Sequence, residues 1–310
     1  MQKRIGLIDV DGHNFPNLPL MKLSAYHKAA GDRVEWYDQL FHSVPRPPLD
    51  QVYISKVFTF TQDYEYCINA KEIVKSGTGY FYPNGGEPLK EEIEHIYPDY
   101  ELYNINNTAY GFLTRGCPRN CKFCIVGSKE GLKSIKVADL KEFWKGQKEI
   151  KLLDPNILAA REHKELLKQL AAAGAWVDFT QGLDARLLNE ENIDLIKSIK
   201  LKMVHFAWDN MKDENIIVPK LKLFKEKTMI DKRKAAVYVL TNFNSTFSED
   251  LHRVYTIRAL GMTPYVMIYE KQTAPQNVLD LQRWVNNKII WYSSETATFE
   301  DYRKTPRKRG

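Results

Sequence analysis

Gly116-Cys117-Pro118-Arg119-Asn120-Cys121-Lys122-Phe123-Cys124 holds three of the four cysteines of this 310-residue chain. Three residues separate the first pair and two the second, and Phe123 directly precedes the third thiol. Thiols this close together bind something, become oxidised or, as thiolates, repel one another. A structural zinc site takes four ligands, and no fourth cysteine or paired histidine stands nearby. An iron–sulfur cube is ordinarily held by four thiolates; three leave one iron open to a small chelating ligand. A chance grouping or an incomplete zinc knuckle is the plainer alternative, because a short motif is decided by its context.

Outward from the cysteines, that context is a rhythm of strands and helices. A strand at 109–113 delivers the chain to the loop, and further strands are predicted at 150–153, 176–179, 203–208, 235–240 and 264–269. Helices fit between them at 138–144, 162–173, 190–199, 219–227 and 248–260, with Gly174 and Gly261 placed to end two of them. Strands alternating with helices imply parallel sheets. Six such units suit an open, partial version of the eight-unit TIM barrel.

The first hundred residues read as a separate α/β unit. Strands are predicted at 4–10, 33–37 and 52–58, with helices at 18–30, 63–75 and 89–96. The expected organisation is a Rossmann-like parallel sheet over 1–105 and a partial (β/α)6 barrel over 106–310, ending in the basic tail Arg303-Lys304-Thr305-Pro306-Arg307-Lys308-Arg309.

Composition narrows the function classes. Hydrophobic residues make up 44%, enough for a sizeable core. No apolar run approaches a membrane span, and the short strand after Met1-Gln2-Lys3-Arg4 is no signal peptide. The cytoplasm is the expected compartment, and clustered cysteines do not suit a secreted disulfide framework. A net charge of +6, partly in the tail, makes nucleic acid a candidate partner through that tail; a solvated terminus is the plainer reading. No membrane partner is expected.

Polar residues just after the predicted strands are candidates for a site, because parallel β/α folds carry ligands at the carboxyl ends of their strands. They are Asp154, Gln181, Asp184, Arg186, Asp209 and Asn242. Asn210, Asn244 and Ser245 read more simply as turn formers. Trp208, beside Asp209, is the one tryptophan expected to line the site; Trp144, Trp176, Trp284 and Trp291 are expected in the core or an interface. Cys67 is expected in a helix as a buried, inert thiol.

The cysteine spacing with its aromatic resembles the signature loop of the radical S-adenosylmethionine (SAM) superfamily. The resemblance implies a [4Fe–4S] cluster on Cys117, Cys121 and Cys124, whose open iron takes the amino and carboxylate groups of SAM. It further implies reductive cleavage of SAM to a 5′-deoxyadenosyl radical, hydrogen abstraction from a substrate it does not name, and a reducing partner such as flavodoxin or ferredoxin. On this expectation Arg186 neutralises the SAM carboxylate. Asp184, Gln181 or Asn242 meet the ribose, and adenine rests near Phe123 and Ile125. The family's Gly-Gly-Glu pattern has no counterpart here; Asp154-Pro155-Asn156 stands in its place, which leaves the contact to the SAM amino group without its usual motif.

Asp11-Gly12-His13-Asn14-Phe15-Pro16 resembles, incompletely, the Asp-x-His-x-x-Gly pattern of cobalamin-binding domains, in which the histidine ligates cobalt. Pro16 replaces the glycine and stiffens the backbone. Cobalamin is therefore disfavoured against a substrate contact for His13, or a turn-and-cap role for Asp11 and His13, with both expected near the cysteine loop. Two alternatives to a plain radical SAM enzyme stay open: a cobalamin-dependent methyltransferase of that superfamily, and a metal-braced nucleic-acid-binding module without catalysis.

Overall fold

The computed structural model describes residues 2–304. The chain divides into two compact units, 1–150 and 151–310; the boundary expected near residue 105 falls inside the first. Residues 305–310 of the basic tail lie outside the described residues. No helix among the described residues is long and apolar enough to cross a membrane.

In the first unit, β1 (Arg4–Asp9) buries Ile5, Leu7 and Ile8. A strand covered on both faces needs such an unbroken apolar run. Helix α1 (Leu18–Ala29) starts at Asn17, whose side chain accepts from the Leu20 amide at 3.3 Å and donates to Ser55 Oγ at 2.9 Å. Leu20 and Leu23 of α1 pack on Ile5 and Leu7. Strand β2 (Arg33–Trp36), the short α2 (Gln39–His42), β3 (Gln51–Ser55) and β4 (Ile73–Ser76) follow. The sheet order is β2-β1-β3-β4, with every pairing parallel.

The helix expected over 63–75 does not form; an irregular segment leads directly into β4. Its polar side chains bind locally instead of leaving the backbone to a helix. Asp63 accepts from the Tyr64 amide at 2.9 Å and from Tyr80 Oη at 2.5 Å, while Thr61 Oγ1 donates to Asp11 at 2.6 Å. Cys67 is consequently exposed in irregular chain, not buried in a helix.

After α3 (Glu91–Glu94) come β5 (Thr108–Gly111), β6 (Thr114–Arg115), α4 (Val126–Glu130) and β7 (Ile135–Lys136). Strands β6 and β7 pair antiparallel, Thr114 opposite Lys136 and Arg115 opposite Ile135. The helix expected at 138–144 shrinks to a 3₁₀ turn, Leu140–Glu142, fixed by a capping box between Asp139 and Glu142.

Strand β8 (Glu149–Leu152) precedes α5 (His163–Ala173), β9 (Trp176–Leu183), α6 (Glu190–Lys197), β10 (Leu201–Ala207) and α7 (Glu214–Thr228). Then come β11 (Ala235–Thr241), α8 (Phe247–Ala259), β12 (Thr263–Ile268) and α9 (Gln276–Asn286). The larger sheet is six-stranded and parallel, in the order β12-β11-β10-β9-β8-β5. Six of the seven β11 residues are buried, as a central strand requires. Gly174 ends α5 in the left-handed region at φ 64°, as its position predicted. Trp208 is fully buried and donates to the Asn210 carbonyl at 3.0 Å, so it lines no open site. Trp176 is 45% exposed, with Lys234 Nζ over its ring, and is not a core residue.

Candidate functional site

The cysteines sit in the excursion between β6 and β7. At its base, Gly116 has φ +84°, and a Cβ there would lie 2.1 Å from the Lys133 carbonyl oxygen. Only glycine satisfies both conditions. Glu130 fills the space below: its carboxylate, 8% exposed, takes the Gly116 amide at 3.2 Å and Arg115 Nη1 at 3.3 Å. The Cys117 amide donates to the Gly131 carbonyl at 3.1 Å, which closes the loop. A second turn brings the Cys124 amide to the Cys121 carbonyl at 2.9 Å, with Asn120 at φ 47°. Cys117 and Cys121 are half-buried and Cys124 is exposed. Phe123 and Ile125 are half-buried, and the Ile125 carbonyl opens α4 by accepting from Lys129.

This donor set can be tested against the group its spacing implies. Among the described residues, no three His, Cys, Asp or Glu side chains are gathered as ligands of one metal ion. A single ion needs its ligands to converge on one point, whereas an iron–sulfur cube takes each thiolate at a separate iron. Three cysteines on one glycine-anchored loop supply sulfur donors of the kind such a cube takes.

The Asp11–His13 loop follows β1. Asp11 accepts from the Val57 and Phe58 amides at 2.5 and 3.3 Å and from Thr61 Oγ1, tying this loop to the one after β3. His13 is exposed and stacks on Trp36, ring centroids 4.1 Å apart, with Tyr103 at its edge. Tyr103 Oη donates to Asp9 Oδ2 at 2.6 Å. Burial holds the Asp9 carboxyl above its usual range, partly offset by that hydrogen bond. Phe15 packs edge-on against Tyr110 of β5, the strand that leads towards the cysteines.

In the second unit, several strand-end residues do meet. Asp184 caps the turn after β9 by accepting from the Arg186 amide, and Arg186 Nε returns to Asp184 Oδ1 at 2.7 Å. Arg186 Nη1 also reaches Asp213 Oδ2 at 3.1 Å. Asn156, after β8, donates to Asp184 Oδ2 at 3.4 Å and is buried, as is Asp154. Asp209, after β10, feels both Arg186 and Arg253, but burial dominates and lifts its carboxyl to about 6. Gln181 and Asn242 stand apart from this group. Gln181 is exposed, while Asn242, at φ 60°, donates to the Tyr269 carbonyl at 2.8 Å.

Three residues of this group went unread in the sequence: Asp213, Asp250 and Arg253. Fully buried Arg253 donates to the Trp208 and Leu240 carbonyls at 2.7 and 2.8 Å and to Asp250 Oδ1 at 2.5 Å. A signal existed, because 250, 253, 254 and 257 fall on one helical face and Val254 and Ile257 mark it as the inner one.

No protein-family model matches this chain, and no curated protein matches it either.

Proposed function

We propose that this chain is a radical SAM enzyme, with a Rossmann-like N-terminal unit and a larger sheet that forms an open (β/α)6 barrel of TIM type. The observation that carries the reading is the donor set: Cys117, Cys121 and Cys124 at their spacing, on a loop whose base only Gly116 permits. These three thiolates would hold a [4Fe–4S] cluster and leave one iron for SAM. A cluster bound there supplies the electron for reductive cleavage of the SAM sulfonium bond.

The remaining work falls to the chain. Glu130 and Arg115 hold the base of the cysteine loop in place. Phe123 and Ile125 offer the half-buried apolar surface suited to adenine. The contacts to SAM expected of Arg186 and Asp184 belong to the same proposal, as do a flavodoxin- or ferredoxin-like electron donor and a cytoplasmic setting.

Anaerobic reconstitution with iron and sulfide tests the reading. About four irons per chain are expected, together with SAM cleavage under a strong reductant. Cys121→Ala should lose the cluster absorbance and the cleavage together. Retention of both, or binding of a single zinc without sulfide, would favour a metal-braced module instead.

A further inference from the structure

We propose that the crevice at the carboxyl ends of β1 and β2 is a binding site for a small organic cation with a flat apolar body, of the arylalkylamine class. It stands independently of whether the cysteine loop holds a cluster.

The crevice has a volume of about 470 Å³, within the range of about 300–1,000 Å³ usual for small-molecule sites. It opens where parallel α/β sheets bind ligands, outside the carboxyl ends of the strands. Leu7, Ile8 and Val10 at the end of β1 are among its apolar lining residues. Aromatic rings supply the walls: Trp36, already backed by His13, and Tyr64, set edge-on to both Tyr37 and Tyr66. Such surfaces take a planar body and attract a cation over a ring face.

The charge around the crevice selects the sign of the ligand. Asp9, Asp63 and Glu65 line it, and no lysine or arginine is among its described lining residues, although the chain as a whole carries +6. Asp63 is already answered by Tyr80 Oη and by the charges of Lys75 and Lys56. Asp9 is tied to Tyr103, and Glu65 accepts from Gln62 Nε2 at 3.0 Å. Asp9 also feels His13 electrostatically, the one basic side chain among the described lining residues. An anionic ligand would meet three carboxylates with His13 as the one basic side chain among the described lining residues, whereas an ammonium group would pair with those carboxylates.

Tryptamine and indole-3-acetate share a ring and differ in charge, so they are the probes, titrated calorimetrically into the full-length chain without iron. Tryptamine should bind one per chain and indole-3-acetate roughly tenfold more weakly or not at all. Glu65→Gln, on the exposed rim, should weaken tryptamine by about fivefold, and Asp9→Asn by more. Circular dichroism reports whether each variant folds; should Asp9→Asn fail to fold, Glu65→Gln alone decides. Equal affinity for the two probes, no saturable binding of tryptamine, or unchanged affinity in Glu65→Gln would each overturn the assignment.

Discussion

Arg186 is clasped between two carboxylates: its Nε lies 2.7 Å from Asp184 Oδ1 and its Nη1 3.1 Å from Asp213 Oδ2. Asp184 is the more dependent partner, since its side chain is 5% exposed while that of Arg186 is 27% exposed. Arg186→Ala would remove from the enclosed Asp184 the guanidinium that lies 2.7 Å away. Breaking a fully buried pair costs about 3–5 kcal/mol. Partial solvation and the remaining Asn156 and backbone bonds reduce the expectation to about 2 kcal/mol. Arg186→Lys should recover less than half, because an ammonium lacks the fork that reaches both carboxylates. Urea unfolding of the three proteins measures this, and a loss below about 0.5 kcal/mol in Arg186→Ala would mean that the clasp contributes little to the fold.

A pH signature should come from Asp209. Burial raises its carboxyl from 3.8 to about 6, against the pull of Arg253 and Arg186. Between those values the folded chain holds a proton that the unfolded chain has released. Stability from this group therefore falls as pH rises through that window and stays lost above it. Asp209→Asn cannot ionise and escapes the loss. The melting temperature of the variant relative to the parent should thus rise between pH 4 and pH 7 (about the two ends of that window). A difference that stays flat or moves the other way would show that the arginines, not burial, govern Asp209.

Much of the parallel framework was legible because buried strands announce themselves. Ala235–Thr241 is apolar almost throughout, and its bounds match the expected strand within a residue. The segment before β4 does not form the helix expected over 63–75, because Asp63 binds the Tyr64 amide and Tyr80 Oη locally instead. The cysteine loop was legible as chemistry but not as geometry. Nothing in the spacing said that Glu130 would fold back under Gly116, a contact made across fourteen residues. Asp250 and Arg253 were passed over because charged pairs on helices are ordinarily solvated. This pair is buried because two strand-end carbonyls, those of Trp208 and Leu240, need donors.

Gly116 offers a test of the loop that leaves all three thiols in place. Gly116→Ala puts a Cβ against the Lys133 carbonyl and an L-residue at φ +84°. A strained backbone of this kind costs on the order of 1–3 kcal/mol, and the base of the loop must shift to relieve it. If that base presents the cysteines to a cluster, iron per chain after reconstitution should fall by at least half, although Cys117, Cys121 and Cys124 remain. Full iron content in the alanine variant would show that the loop binds metal without its anchored geometry.

Asp11 should act on the loop after β3. Its two oxygens hold the Val57 amide, the Phe58 amide and Thr61 Oγ1, which makes one carboxylate the hinge pin of residues 57–61. Hydrogen bonds to a charged acceptor contribute about 1.5–3 kcal/mol each when sheltered, and less here, where Val57 and Phe58 are exposed. Asp11→Ala should therefore cost about 1–2 kcal/mol and, more specifically, free the two amides. In hydrogen exchange, the Val57 and Phe58 amides should lose roughly tenfold in protection, while those of β1 and β3 stay near parent values. Asp11→Asn should fall between, since its one carbonyl oxygen can serve only part of the set. Unchanged protection at both amides in Asp11→Ala would mean that the loop is held by its apolar contacts, and Asp11 would then be merely a surface residue.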